Sequence, residues 1–162
     1  MSTPIRAAVI TASDACSRGE RADDSGAALV ELLEGSGAEV VETRILSDDL
    51  APLVQTLQEF SNRDDINLVL TTGGTGLGPR DNTPEATLQV IEREVPGIAE
   101  AMRAESLKVT KMAMISRGVA GVASGTLIVN LPGSPKAVRE SFAVIKPTLA
   151  HAVDLMAGWT RH

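Results

Sequence analysis

Apolar and polar positions along this chain alternate between two periods. Ala7-Ala8-Val9-Ile10 is an unbroken apolar run of strand length. Beyond it, Leu29, Leu32 and Leu33 recur at i, i+3 and i+4, the helical period. Asp24-Ser25 stands ahead of them as a cap, and Gly35 and Gly37 close the helix. Glu39 to Leu46 alternates and is rich in Val and Ile, so it predicts a second strand. Asp48-Asp49 then opens a helix with Leu50, Leu53, Val54 and Leu57 on one face. Leu68 to Thr72 predicts a strand buried on both faces, and Thr83-Pro84 starts the next helix. Ile98 to Leu107 reads as helix after the Pro96-Gly97 break, whereas Lys111 to Ala123 follows neither period. Thr126 to Leu131 predicts another buried strand. Ser134-Pro135 caps and begins a helix carrying Val138, Phe142 and Ile145, and Pro147 is expected to start a separate last helix ending near Met156.

Strand followed by helix, four times over, predicts an α/β fold: a three-layer α/β/α sandwich around a mostly parallel sheet. In such sheets ligands collect at the carboxyl ends of the strands. That rule gathers the loops after Thr11, Leu46, Thr72 and Leu131 on one edge.

The loop after Thr72 is the most unusual of these. "TTGGTGLGPRDNTPEAT" places Gly73, Gly74, Gly76 and Gly78 within six positions, followed by Arg80 and Asp81. Glycines let backbone N–H groups approach a ligand, and the helix beyond offers a partially positive end. The spacing matches neither the P-loop nor the dinucleotide fingerprint. A plain strand-to-helix turn explains one glycine pair; four glycines with Arg80 and Asp81 favour a phosphate cradle. Arg80 then steadies the loop or meets an anion, and Asp81 holds a divalent cation. One of Asp48 and Asp49 is explained as a helix cap; the other is free for the same cation. Asn130-Leu-Pro-Gly-Ser-Pro135 is a second exposed turn, and Ser13-Asp14, Asp24-Ser25-Gly26 and Ser116-Arg117-Gly118 are further polar loops.

Composition narrows the chemistry. The 162 residues carry a net charge of -6, one cysteine and two histidines, with 43% apolar and 22% charged residues. This is the composition of one ordinary globular domain, taken as residues 1–162. The acidic balance and the scarcity of aromatics argue against nucleic acid and anionic membrane as partners. No apolar stretch has the length of a membrane span and no leader is visible, so a cytoplasmic location is expected. A lone Cys16 fits a small loop residue in a reducing compartment better than a nucleophile. His151 and His162 lie far along the chain from the loops, which disfavours a histidine-driven nucleophilic engine. The residues therefore predict an α/β domain that binds phosphorylated small molecules with Mg²⁺ and uses no protein nucleophile.

At these motifs the chain resembles the molybdopterin-binding domains of molybdenum cofactor biosynthesis, the molybdopterin adenylyltransferases of MogA and MoaB type and the gephyrin G domain. "ITASDACSRGERADDSGAAL" and "ISRGVAGVASGTLIVNLPGSPKAV" resemble the family's N- and C-terminal segments, and the likeness runs from about Ala7 to about His151. The resemblance implies transfer of AMP from ATP to the terminal phosphate of molybdopterin, with release of pyrophosphate. The product passes to a molybdate-inserting partner. It implies catalytic, metal-holding aspartates at Asp48 and Asp81. Substrate contacts are implied at Ser13, Asp14, Ser25, Gly26, Thr72, Gly73, Gly74, Thr75, Gly76, Thr83, Ser116, Pro132, Gly133 and Ser134. A homotrimer or hexamer is also implied. The chain departs from the family at Ser47, where a proline precedes the aspartate, which leaves Asp48 and Asp49 both open as the one facing the metal. The alternatives to an enzyme are a non-catalytic molybdopterin carrier or scaffold and a small nucleotide-binding regulator.

Overall fold

The computed structural model describes residues 2–159; His162 lies outside the described residues. Six strands form one sheet in the order β2-β1-β3-β6-β5-β4. They are β1 (Arg6–Ala12), β2 (Glu39–Leu46), β3 (Leu68–Thr72), β4 (Arg93–Glu94), β5 (Ala120–Ala123) and β6 (Thr126–Leu131). The four on the β2 side run parallel, and β5 and β4 add an antiparallel edge. The described residues form six α-helices: α1 (Asp14–Ser17), α2 (Asp24–Gly35), α3 (Leu50–Ser61), α4 (Thr83–Val90), α5 (Pro96–Leu107) and α6 (Pro135–Met156). Among the described residues no helix is long and apolar enough to cross a membrane.

The pleat sends alternate side chains to opposite faces, and each face finds its own helices. Ala7, Val9, Leu68, Leu70, Leu127 and Val129 pack with Leu29, Leu33 and Met102 and with Phe142, Ile145 and Leu149, which covers one face with α2, α5 and α6. Ala8, Ile10, Val69 and Ile128 pack with Leu53, Leu57, Phe60 and Ala86 of α3 and α4 on the other. The expected three-layer sandwich is therefore present, with the central strands buried on both sides.

The structure departs from or adds to the expectations at several places, four of them in the helices and in the β5–β6 pair. Pro147 does not begin a helix; it sits inside α6. A proline there leaves the carbonyl four residues back without its helical donor. Ala143 and Pro147 both face solvent, where water can take that carbonyl. Val138, Phe142, Ile145, Leu149 and Val153, buried on both sides of the proline, hold the helix on its course. Second, the segment without a period contains a short 3-10 helix, Lys111–Ile115, and then β5. β5 pairs with β6 through a two-residue turn whose members, Ser124 and Gly125, have φ of 49° and 77°. Such a turn demands positive φ, and the Ser-Gly dipeptide is a general turn marker in the sequence. Third, α2 is capped by Asp23, which accepts from Gly26 N at 3.0 Å. Fourth, Asp49 stands at the cap position of α3 without making a side-chain cap bond.

Candidate active site

The carboxyl ends of β1, β2, β3 and β6 open on a polar cavity of about 440 Å³. Its floor is Thr72, Gly73 and Gly74, the point where β3 leaves the sheet. Gly73 and Gly74 take φ of 91° and 68°, a region that side chains resist. A Cβ at Gly74 would stand 2.3 Å from Thr83 Oγ1, and one at Gly73 would stand 2.4 Å from the carbonyl oxygen of Ala12. The glycines thus first allow close packing. Thr83 Oγ1 donates to Gly73 O at 2.9 Å and Thr83 N to Gly74 O at 3.2 Å, which binds the start of α4 under the loop. The N–H groups of Gly74 and Gly133, both lining the cavity, meet no protein acceptor among the described residues.

Three aspartates line this cavity: Asp24 at the start of α2 and, from two different loops, Asp48 and Asp81. Asp48 Oδ2 accepts from Asp14 N at 2.9 Å, and Asp14 Oδ1 accepts from Asp48 N at 3.0 Å, so the loops after β1 and β2 lock reciprocally. Asn82 Nδ2 adds a bond to Asp48 O at 2.9 Å. Asp81 Oδ2 accepts from Gly78 N at 2.8 Å. Burial pushes the Asp48 carboxyl above the usual carboxylate range, and the charges of Asp14 and Asp81 push it the same way. Asp49, in contrast, is exposed and turns away, accepting from Arg80 Nη2 at 2.8 Å and Ser47 Oγ at 3.0 Å. Of the two neighbouring aspartates, Asp48 is the one that lines the cavity.

Arg80 joins the loops rather than lining the cavity. Its guanidinium grips Asp14 through Nε at 2.6 Å and Nη2 at 3.0 Å and also meets Asp49. That contact holds the Asp14 carboxyl at about 2.

Ser13, Ser25, Gly133 and Ser134 complete the polar wall. Ser134 Oγ caps α6 by accepting from Ala137 N at 3.2 Å. Thr75, Gly76, Ser116 and Pro132 instead line a neighbouring, mostly apolar cavity of about 270 Å³ with Met102 and Met112. Asp14, Gly26, Arg80 and Thr83 stand behind the polar wall as supports. Sequence reasoning missed Arg21, which lines the polar cavity and donates from Nη2 to Ser13 Oγ at 3.1 Å. The available signal was a basic residue in a loop at a strand's carboxyl end. Cys16 is buried in α1 and lines the same cavity. His151 lies exposed on α6.

The arrangement suits a divalent cation that arrives with phosphates. Each of Asp48 and Asp81 leaves its Oδ1 without a protein donor among the described residues. Burial beside other negative charges is the condition a cation relieves. The described residues contain no cluster of three or more metal-ligating side chains, so a protein-only cage is not built here. Mg²⁺ commonly takes one or two carboxylates and completes its shell with water and substrate phosphate.

The sequence profile of a family described as "probable molybdopterin binding domain" matches residues 8–151. The chain belongs to that family. This molybdopterin-binding family member is 44% identical over 149 residues to the molybdenum cofactor synthesis protein cinnamon of Drosophila melanogaster, covering 91% of this chain but 25% of that protein. It is 39% identical over 156 residues to a molybdopterin adenylyltransferase of Helicobacter pylori, covering 95% and 89% of the two chains. The crystal structure of the molybdopterin biosynthesis enzyme MoaB of Thermus thermophilus superposes with a TM-score of 0.89 at 47% identity, over 96% of this chain and 99% of that one. The family's fold is thus the fold found here.

Proposed function

We propose that residues 1–162 act as a single-domain molybdopterin adenylyltransferase: AMP passes from ATP to the terminal phosphate of molybdopterin, and pyrophosphate leaves. The observation that carries this reading is the pair Asp48 and Asp81, set on facing loops in a cavity floored by glycine backbone. The attacking group is a phosphate oxygen already ionised at neutral pH, so the site needs no general base. A new P–O bond forms at the α-phosphorus of ATP while the bond to the pyrophosphate oxygen breaks. The protein's task is to hold two polyanions in line and offset their charge. Asp48 and Asp81 would hold Mg²⁺, which supplies positive charge against the phosphates. Gly74 and Gly133 offer free N–H donors, Ser13, Ser25 and Ser134 offer hydroxyls, and Arg21 is the basic side chain on the wall.

The test is a coupled assay for pyrophosphate release with ATP, Mg²⁺ and molybdopterin. A chain that binds the pterin but releases no pyrophosphate would be a carrier instead, and both carboxylates facing one cavity speak for the enzyme. The chain is further expected to work in the cytoplasm as a homotrimer or hexamer and to pass its product to a molybdate-inserting partner. Met112 and Met114, 66% and 70% exposed beside Val109 and Ile115, support self-association. Sedimentation at micromolar concentration showing only monomer would refute it.

A further inference from the structure

The strongest unassigned feature is the side chain of Arg117. It follows Ser116 on the wall of the apolar cavity but reaches the loop that carries Asp81. Arg117 N donates to Thr75 O at 2.8 Å. Its Nε donates to Gly76 O at 2.7 Å and its Nη2 to Asp81 O at 2.8 Å. Nη1 pairs with the Glu85 carboxylate on α4. That contact pulls the Glu85 carboxyl below its ordinary range.

These bonds have one geometric consequence. Gly76 and Asp81 are the two ends of a turn that closes internally, Gly78 N on Asp81 Oδ2 and Asp81 N on Gly78 O at 3.0 Å. The Arg117 fork holds both ends of that turn. Arg103 fixes the clamp from behind, since its Nη1 donates to Ser116 O at 3.3 Å and Gly118 O at 2.8 Å, on either side of Arg117. A planar fork with several fixed donors suits this task, and a lysine has no equivalent.

We propose that Arg117 is a positioning residue for the metal-binding carboxylate of Asp81. It sets where the Gly76–Asp81 turn presents that carboxylate to a metal-bound nucleotide. The inference rests on the proposed metal site of the preceding subsection and adds to it a residue that touches neither metal nor substrate. Supporting groups of this kind typically change metal affinity or activity by about 10- to 100-fold when removed.

The experiment titrates Mn²⁺ with ATP into the full chain by electron paramagnetic resonance, for wild type, Arg117→Ala and Arg117→Lys, beside single-turnover AMP transfer. Arg117→Ala is expected to bind Mn²⁺ with ATP roughly 10- to 100-fold more weakly, with metal-free molybdopterin affinity changed less than about twofold. Added guanidinium ion, below denaturing levels, is expected to restore part of the lost affinity, which a general loss of stability would not allow. Arg117→Lys is expected between the two. A folded Arg117→Ala with wild-type Mn²⁺ affinity overturns the proposal. If the alanine variant does not fold, wild-type Mn²⁺ affinity in Arg117→Lys overturns it. Wild type that binds Mn²⁺ with ATP but transfers no AMP refutes the enzyme reading and leaves the Arg117 comparison valid. Wild type that binds no metal overturns both.

Discussion

Asp48→Asn is expected to make the ligand-free protein more stable and nearly inactive. Asparagine has almost the same shape, and its Oδ1 can still accept from Asp14 N, the bond that locks the first two loops at 2.9 Å. What disappears is a half-buried charge that faces the carboxylates of Asp14 and Asp81. Burial and that repulsion raise the pKa of Asp48, so its ionised form disfavours the fold at neutral pH and its removal is stabilising. The melting temperature with a chelator present should therefore rise. For turnover the sign reverses. One of the two carboxylates proposed to hold the metal is lost, and an amide oxygen is a poor substitute for a charge on Mg²⁺. A loss of roughly 3–5 kcal/mol in transition-state stabilisation slows AMP transfer about 10²- to 10⁴-fold. Asp49→Asn is the matched control. Its carboxylate is exposed and engaged with Arg80 and Ser47, so turnover should stay near wild type. The assay is single-turnover AMP transfer beside thermal melts of both variants. Full activity in Asp48→Asn, or a loss in Asp49→Asn equal to it, would refute the assignment of Asp48 to the metal.

Three further outcomes are expected. Gly74→Ala should destabilise the protein by about 1–3 kcal/mol in urea denaturation, because the position has φ of 68° and the new Cβ would stand 2.3 Å from Thr83 Oγ1. Pro147→Ala should stabilise it by about 2 kcal/mol, as a helix-interior proline costs about 3 and the gain in unfolded-chain entropy returns up to about 1; a lower urea midpoint would contradict this. Glu42 is held below its ordinary pKa of 4.5 by Arg44 first and Arg63 next. Its contribution is therefore present above that value and lost as pH falls through the lower folded one, so Glu42→Gln should flatten the acid limb of the stability profile.

The sheet was legible because its central strands are buried on both faces and so appear as apolar runs. The predicted limits of β2, β3 and β6 coincide with those observed. β5 was hidden by its composition. Ala120-Gly-Val-Ala123 has neither bulk nor alternation, and what makes it a strand is pairing with β6 through the turn at Ser124 and Gly125. Pro147 misled because the local rule for proline is sound but local. Burial of Ile145, Leu149 and Val153 overrides it, and that burial exists only once α6 lies on the sheet.

The candidate site shows the same division. Residue type and order marked the carboxylates and the bare loop, since four glycines with Arg80 and Asp81 in one stretch are unusual in any sequence. They did not mark which group meets the cavity and which supports it. Arg80 had two open roles, and its position beside Asp14 and Asp49 makes it a brace between loops. The glycines by themselves point to room for a ligand. Their first neighbours are Ala12, Thr83 and Asp81, so the bareness also lets three loops and a helix start converge on one point. Arg117 lies 36 positions beyond Asp81, in a segment whose period predicts nothing, yet it bonds to the backbone of that aspartate. Such support depends on separations in space that no local pattern encodes. If Arg117 positions Asp81 as proposed, substitutions at Arg117 or Arg103 will disturb the proposed metal site while every group lining the polar cavity keeps its identity.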